Sequence, residues 1–219
     1  MNDTCFCQDR DLLCIEPVIF IGGGFASQQL IGGIGASIAE GKVHWQEGDF
    51  GSAGVKPGMV VNIWQTSPCE GNAYEILSVG SASELTISVL RAVNNRPAVP
   101  PADCENVSFH VRTFEPQIQA ASAALAEKLR LLSEAAGVAA ASFADSAQLR
   151  TAAAYGALER IFTARSENAS SGEANWIKAQ HYREIFRQQQ VQLRLAVDVD
   201  GDGQAEQTRT LGNVQLRRA

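Results

Sequence analysis

The sequence predicts an α+β fold: a small antiparallel β-barrel-like module, then a helical domain of about three helices, then a C-terminal extended arm or hairpin. Three observations carry that expectation. Between residues 42 and 115, short runs of β-branched and aromatic residues alternate with turn signals. Between residues 116 and 195 the apolar spacing changes to three and four residues, the period of a helix. Charge is the third: residues 1–115 hold 6 Lys/Arg against 13 Asp/Glu and residues 116–219 hold 12 against 11, in a 219-residue chain of net charge −6. That step fits two domains. It also argues against a nucleic-acid footprint, which needs positive charge clustered on one face.

Residues 1–41 are expected to form an N-terminal arm with a glycine-rich segment. The first residues are polar and acidic where a signal peptide is basic and then apolar. The apolar run at residues 14–25 contains Glu16 and Pro17 and falls far short of the roughly 20 residues a spanning helix needs. A soluble chain made in a cytoplasm, with no membrane partner, is expected. Cys5, Cys7, Cys14, Cys69 and Cys104 are an odd number without a secretory signal, which favours reduced thiols over a disulfide framework. Cys5, Cys7 and Cys14 do not have the Cys-x2-Cys spacing of a zinc site and are expected as free thiols. Residues 9–16 read as a short helix or turn. Gly22-x-Gly24-x-x-Ser27 lacks the third glycine and the βαβ context of a dinucleotide loop. The glycines are expected in turns and close contacts at a sheet edge, or in an arm laid across a neighbour.

The module at residues 42–115 offers strands near 42–50, 57–65, 73–80, 84–92 and 107–114, with turns between them. Short strands at such spacing suggest a small barrel or a two-layer sheet, because their edges need closing or covering. Residues 91–106 are proline-rich and too long for a hairpin turn, so a protruding, contact-making loop is expected.

Pro116 opens the helical domain, residues 116–195, where a first turn tolerates proline. Ile118, Leu125, Leu129 and Leu132 share one side of the first helix, which Gly137 ends. The second helix, residues 142–165, presents Leu149, Ala153, Ala157, Leu158, Ile161 and Phe162, with Tyr155 beside them. A polar connector leads to a third helix opened by Glu173, whose apolar side is expected from Trp176, Ile177, Tyr182, Ile185, Phe186 and Leu193. Arg183, Glu184 and Arg187 have helical ion-pair spacing. His44, His110 and His181 lie in different elements, so no general base is nominated and no enzyme is expected.

Residues 196–219 form the expected arm. Val191, Leu193, Leu195, Val197 and Val199 alternate, and this reads either as the third helix running on or as a strand entering a turn. Asp198, Asp200 and Asp202, followed by Gly203, match the opening of a calcium loop, and Glu206 stands at its ninth position. The twelfth position is Arg209, where the bidentate glutamate belongs, so a hairpin turn is favoured over a calcium site. No other cofactor is expected.

Two sets of residues resemble tailed-bacteriophage virion proteins. Asp49, Phe50, Gly54, Val55, Pro57, Gly58, Val79, Ser81, Leu85, Thr86 and Ser88 are similar to a small β-barrel module of such virions. Ala154, Tyr155, Ala157 and Leu158, then Trp176, Lys178, Ala179, Tyr182 and Arg183, then an extended arm, resemble the head-to-tail connector (adaptor) proteins. That resemblance implies a structural protein of the virion, assembled in the host cytoplasm, forming a homo-oligomeric ring under the portal. Its partners would be other copies of itself, the portal and a downstream neck or tail protein, with DNA only passing through the channel. It also implies that the arm docks on the portal, through Arg209, Leu211, Val214, Leu216, Arg217 and Arg218. A barrel ahead of the helices departs from the simple adaptor pattern, which leaves two alternatives: another tail, neck or baseplate part, or a calcium-dependent binding module.

Overall fold

The computed structural model describes residues 5–21, 24–64, 72–93, 95–136, 146–167, 172–197 and 207–210, without the side chains of 130–136, 146, 194–197 and 207–210. It is α+β, with five helices and a closed six-stranded barrel among the described residues. The chain divides into two compact units: Gln8–Glu115, and Pro116–Ala219 together with Met1–Cys7.

The first unit opens with α1 (Asp9–Ile15) and α2 (Val18–Ile21), where a short helix or turn was expected at residues 9–16. Its barrel is built from β1 (Gln28–Ala39), β2 (Lys42–His44), β3 (Val60–Trp64), β4 (Asn72–Ser81), β5 (Glu84–Ser88) and β6 (Cys104–Thr113). The strands follow one another round the wall as β1-β2-β5-β4-β3-β6, every pair antiparallel, and β6 closes back on β1. Closure leaves no free edge in the barrel for another strand to pair with.

One expectation is corrected here. The glycine-rich segment is not an arm or a set of turns: residues 28–39 form the barrel's longest strand. Glycine's weak strand preference hid it, and the packing explains it. A Cβ on Gly33 would lie 2.3 Å from the Trp45 indole, and one on Gly48 would lie 2.2 Å from its other edge, so the ring fits only between two bare backbones. Register shifts along β1 opposite β6 bend the strand, which pairs with β6 along its length and with β2 at its end.

Alternation in β6 sends Val107, Phe109 and Val111 inward. Phe109 meets Trp45 edge-on at 5.2 Å and Phe50 at 5.8 Å, while Val61, Ile63, Ile76 and Ile87 fill the interior around them. A six-stranded barrel is narrow enough for side chains to fill it. The residues that carry the virion resemblance have roles in this packing. Asp49 accepts from the Ser52 amide and hydroxyl, which holds its carboxyl below the usual range, and Phe50 is fully buried. Gly54 and Gly58 take positive φ, at 79° and 86°.

An ionic clamp ties α1 to the barrel. Glu75 is fully buried, with Arg10 Nε donating to one carboxylate oxygen at 2.6 Å and Arg91 Nε to the other at 2.5 Å. Burial pushes its pKa up, and the hydrogen bonds from Arg91 and Arg10 more than offset that, holding it below the usual glutamate value. The proline-rich loop folds back on β5, with the Val89 amide donating to the Val99 carbonyl and the Val99 amide to Ser88 Oγ.

The cysteines need a second correction. Cys5, Cys7 and Cys14 form no disulfide, whereas Cys104, at the start of β6, is disulfide-bonded. An odd count argues against a fully paired framework and not against a single bridge. Cys69 lies outside the described residues.

The second unit contains α3 (Glu115–Ala136, from Pro116 on), α4 (Ser146–Glu167), α5 (Gly172–Gln192), β7 (Arg194–Val197) and β8 (Gln207–Thr210). Ile118, Leu125 and Leu129 on α3 are buried, as are Leu149, Ala153, Ala157, Leu158, Ile161 and Phe162 on α4. Gly156 lets α5 come close: a Cβ there would lie 2.9 Å from the Phe186 ring and 3.2 Å from Ala121 of α3. Tyr182 stacks on Phe162 at 5.6 Å and on Tyr155 at 6.0 Å. The apolar side predicted for α5 holds only in part. Tyr182, Phe186 and Leu193 are buried, but Trp176 is 47% and Ile177 61% exposed. At about 100° per residue, Ile177 falls well off the buried face and Trp176 at its edge. Arg183 also departs from its expected pairing within the helix, donating to Glu159 of α4 through Nε and Nη2, each at 3.0 Å. β7 and β8 pair antiparallel, Leu195 opposite Arg209.

Candidate functional site

The calcium candidates Asp198, Asp200, Asp202 and Glu206 lie outside the described residues, between β7 and β8. Of the expected portal contacts, Arg209 is on β8 with its side chain undescribed, and Leu211, Val214, Leu216, Arg217 and Arg218 lie outside the described residues. Among the described residues, no three His, Cys, Asp or Glu side chains are grouped to hold a metal ion, and no helix is long and apolar enough to cross a membrane.

Sequence reasoning passed over a cleft on the outside of the barrel. The alternation that sends Phe109 and Val111 inward sends Ser108, His110 and Arg112 outward. His110 pairs across the wall with Gly32 of β1 on one side and Asn62 of β3 on the other. Gly32 lines a depression of about 350 Å³, and a Cβ there would lie 2.9 Å from the Phe109 carbonyl oxygen and 3.1 Å from His110 Cβ. Gln29, Gly32, Trp64, Ser108, His110 and Arg112 line it, and Ile34, 72% exposed, stands at its rim.

His110 faces outward and yet is only 4% exposed, because the Trp64 ring lies against it with centroids 3.9 Å apart. Neither ring nitrogen has a hydrogen-bond partner, and the Asn62 side-chain nitrogen also lacks one. Burial, and secondarily the positive charge of Arg112, lowers the His110 pKa to about 4. The imidazole is therefore neutral near pH 7, with one nitrogen able to donate and the other to accept. Such a group suits recognition better than general base catalysis, which works best with a pKa near the working pH. Alternation alone reads an outward histidine as solvated. The one signal that could have marked the cleft was Gly32, which in a strand signals a bulge or a close approach.

A second surface is the outer side of α5. Trp176, Ile177 and Val191, each 47% exposed or more, fall within an arc of about 100° on the helix. Ala179, Tyr182, Phe186 and Gln190 occupy its buried side, with Tyr182 and Phe186 against α4 and Gln190 accepting from Lys128 of α3.

Comparison with known proteins finds no matching family model, curated protein or solved structure.

Proposed function

We propose that this chain is a structural protein of a tailed-phage virion, a head-to-tail connector that forms a ring under the portal and continues the DNA channel. The observation that carries the reading is the exposed apolar strip of α5. A helix that already packs on α4 still presents Trp176, Ile177 and Val191 to solvent. Aromatic and aliphatic side chains exposed in this way are what a subunit contact buries. A ring needs a head-to-tail contact repeated between identical chains, and such a strip provides one half of it.

In this reading α3, α4 and α5 act as the helical bundle between subunits. Residues 196–219 act as the arm that docks on the portal. The barrel is the part that the simple adaptor pattern lacks, and it faces the neck or tail protein.

Deleting residues 196–219 and separately introducing Ile177→Glu divides the two contacts. The deletion is expected to abolish retention on co-expressed portal rings, and Ile177→Glu to weaken association between copies. Retention of both variants at wild-type levels would remove the connector reading.

A tail or baseplate role is the second reading, favoured by the proline-rich loop, where Val93 and Val99 are 50% and 54% exposed. Protection of that loop from proteolysis in the assembled particle, with residues 196–219 left accessible, is the pattern it predicts.

A further inference from the structure

The barrel cleft has features that an assembly role does not use, and they converge on a ligand. Its deepest polar group, His110, is 96% buried and has two ring nitrogens without partners, although buried polar groups are nearly always hydrogen-bonded. The one charged side chain lining the cleft, Arg112, forms no ion pair with any described residue. The Gln29 side-chain amide, 3.2 Å from the place a Cβ on Gly32 would occupy, adds a neutral donor to the lining of the same depression. Trp64 adds an aromatic surface. At about 350 Å³ the space lies at the small end of ligand pockets.

We propose that this cleft binds a small organic anion carrying a planar ring, with its acid group on Arg112 and Gln29, its polar edge on His110 and its ring against Trp64. Each element follows from the chemistry of the lining. A guanidinium without a carboxylate partner recognises a carboxylate or a phosphate through paired N–H donors. A neutral imidazole gives one donor and accepts one hydrogen, so the ligand carries both an acceptor and an N–H or O–H beside its acid group. An indole face stacks on a flat ring. Aromatic carboxylates and nucleoside monophosphates share this chemistry.

The test uses the full chain with histidine and tryptophan side chains labelled for NMR, titrated separately with adenosine monophosphate, 4-aminobenzoate and inorganic phosphate. Calorimetry supplies affinities. The chain has three histidines and three tryptophans. His44, His181 and Trp176 therefore serve as internal controls while His110 and Trp64 report on the cleft. Saturable shifts at His110 and Trp64 with one of the ring-bearing anions are expected, with the control residues unmoved. Arg112→Gln should weaken that binding by at least about tenfold, the size of a lost charge-assisted hydrogen bond. Arg112 is half-buried and makes no described ion pair, so this variant is expected to fold. Trp64→Leu should weaken the ring-bearing anion and leave inorganic phosphate unchanged. Tighter binding of adenosine monophosphate would assign the acid group as a phosphate, and tighter binding of 4-aminobenzoate as a carboxylate; either supports the site. Equal affinity for phosphate alone, an undiminished affinity in Arg112→Gln, or no saturable shift at His110 would overturn it. None of these outcomes depends on whether the chain forms rings.

Discussion

The two units solve the same packing problem with different materials. The barrel unit is closed by backbone pairing all round and locked by a buried charge cluster, with Glu75 held between Arg10 and Arg91. The helical unit relies on small residues and rings, with Ala153 and Ala157 buried and Gly156 admitting Phe186, and its inter-helix ion pair of Glu159 with Arg183 is half-exposed. A closed wall leaves function to its outer face, where the cleft lies. Helices packed on one side leave the other for a neighbour. The proposed ligand role falls to the first unit and the proposed assembly role to the second.

The largest expected contrast is between the two ion pairs. Glu75→Ala strands two guanidiniums in a buried place and should cost about 3–5 kcal/mol in urea unfolding. Glu159→Ala removes a screened partner and should cost no more than about 1 kcal/mol. Equal losses would break the contrast. A second comparison concerns glycines. Gly33→Ala puts a methyl group into the Trp45 ring and should cost about 1–3 kcal/mol. Gly156→Ala meets only the far end of the Phe186 ring and the Ala121 methyl, and gains helix propensity, so a change within about 1 kcal/mol is expected.

Protons sharpen the account of the barrel unit. Asp9 is buried and accepts from the Phe114 amide at 2.8 Å; burial raises its pKa to about 7, although its hydrogen bonds pull the other way. Between pH 4 and 7 the folded state keeps a proton there that the unfolded chain has lost, so this group lowers stability as pH rises. His110 acts in the opposite sense. With its pKa lowered to about 4 from 6.5, the unfolded chain binds the extra proton between those values, and stability rises with pH. Asp9→Asn should therefore make stability climb more steeply from pH 4 to 6.5 than in the wild type, as read by thermal melts across that range. An unchanged slope would show that Asp9 does not hold its proton in the fold.

Much of the barrel was legible in the sequence because strands β3 to β6 alternate and are bounded by turn residues. β1 was not, since its glycines carry no β-preference and the need for one of them, Gly33, comes from Trp45, which lies elsewhere in the chain. On α4 the buried positions followed from spacing. On α5 spacing put Trp176 and Ile177 with the core, because hydropathy cannot tell an apolar residue facing α4 from one facing outward. His110 was invisible for a related reason. Its burial comes from Trp64, forty-six residues away in sequence and diagonally across the sheet.

The smallest expected effect on stability belongs to the outer face of α5. Ile177→Glu should change unfolding by no more than about 0.5 kcal/mol, as surface substitutions do, while weakening self-association. That separation leads to the measurement that bears most directly on the connector reading: the mass of the purified full-length chain, alone and with a portal ring from the same genome. The account predicts a complex with close to one copy of this chain per portal subunit. A monomer whose mass is unchanged by the portal would contradict it.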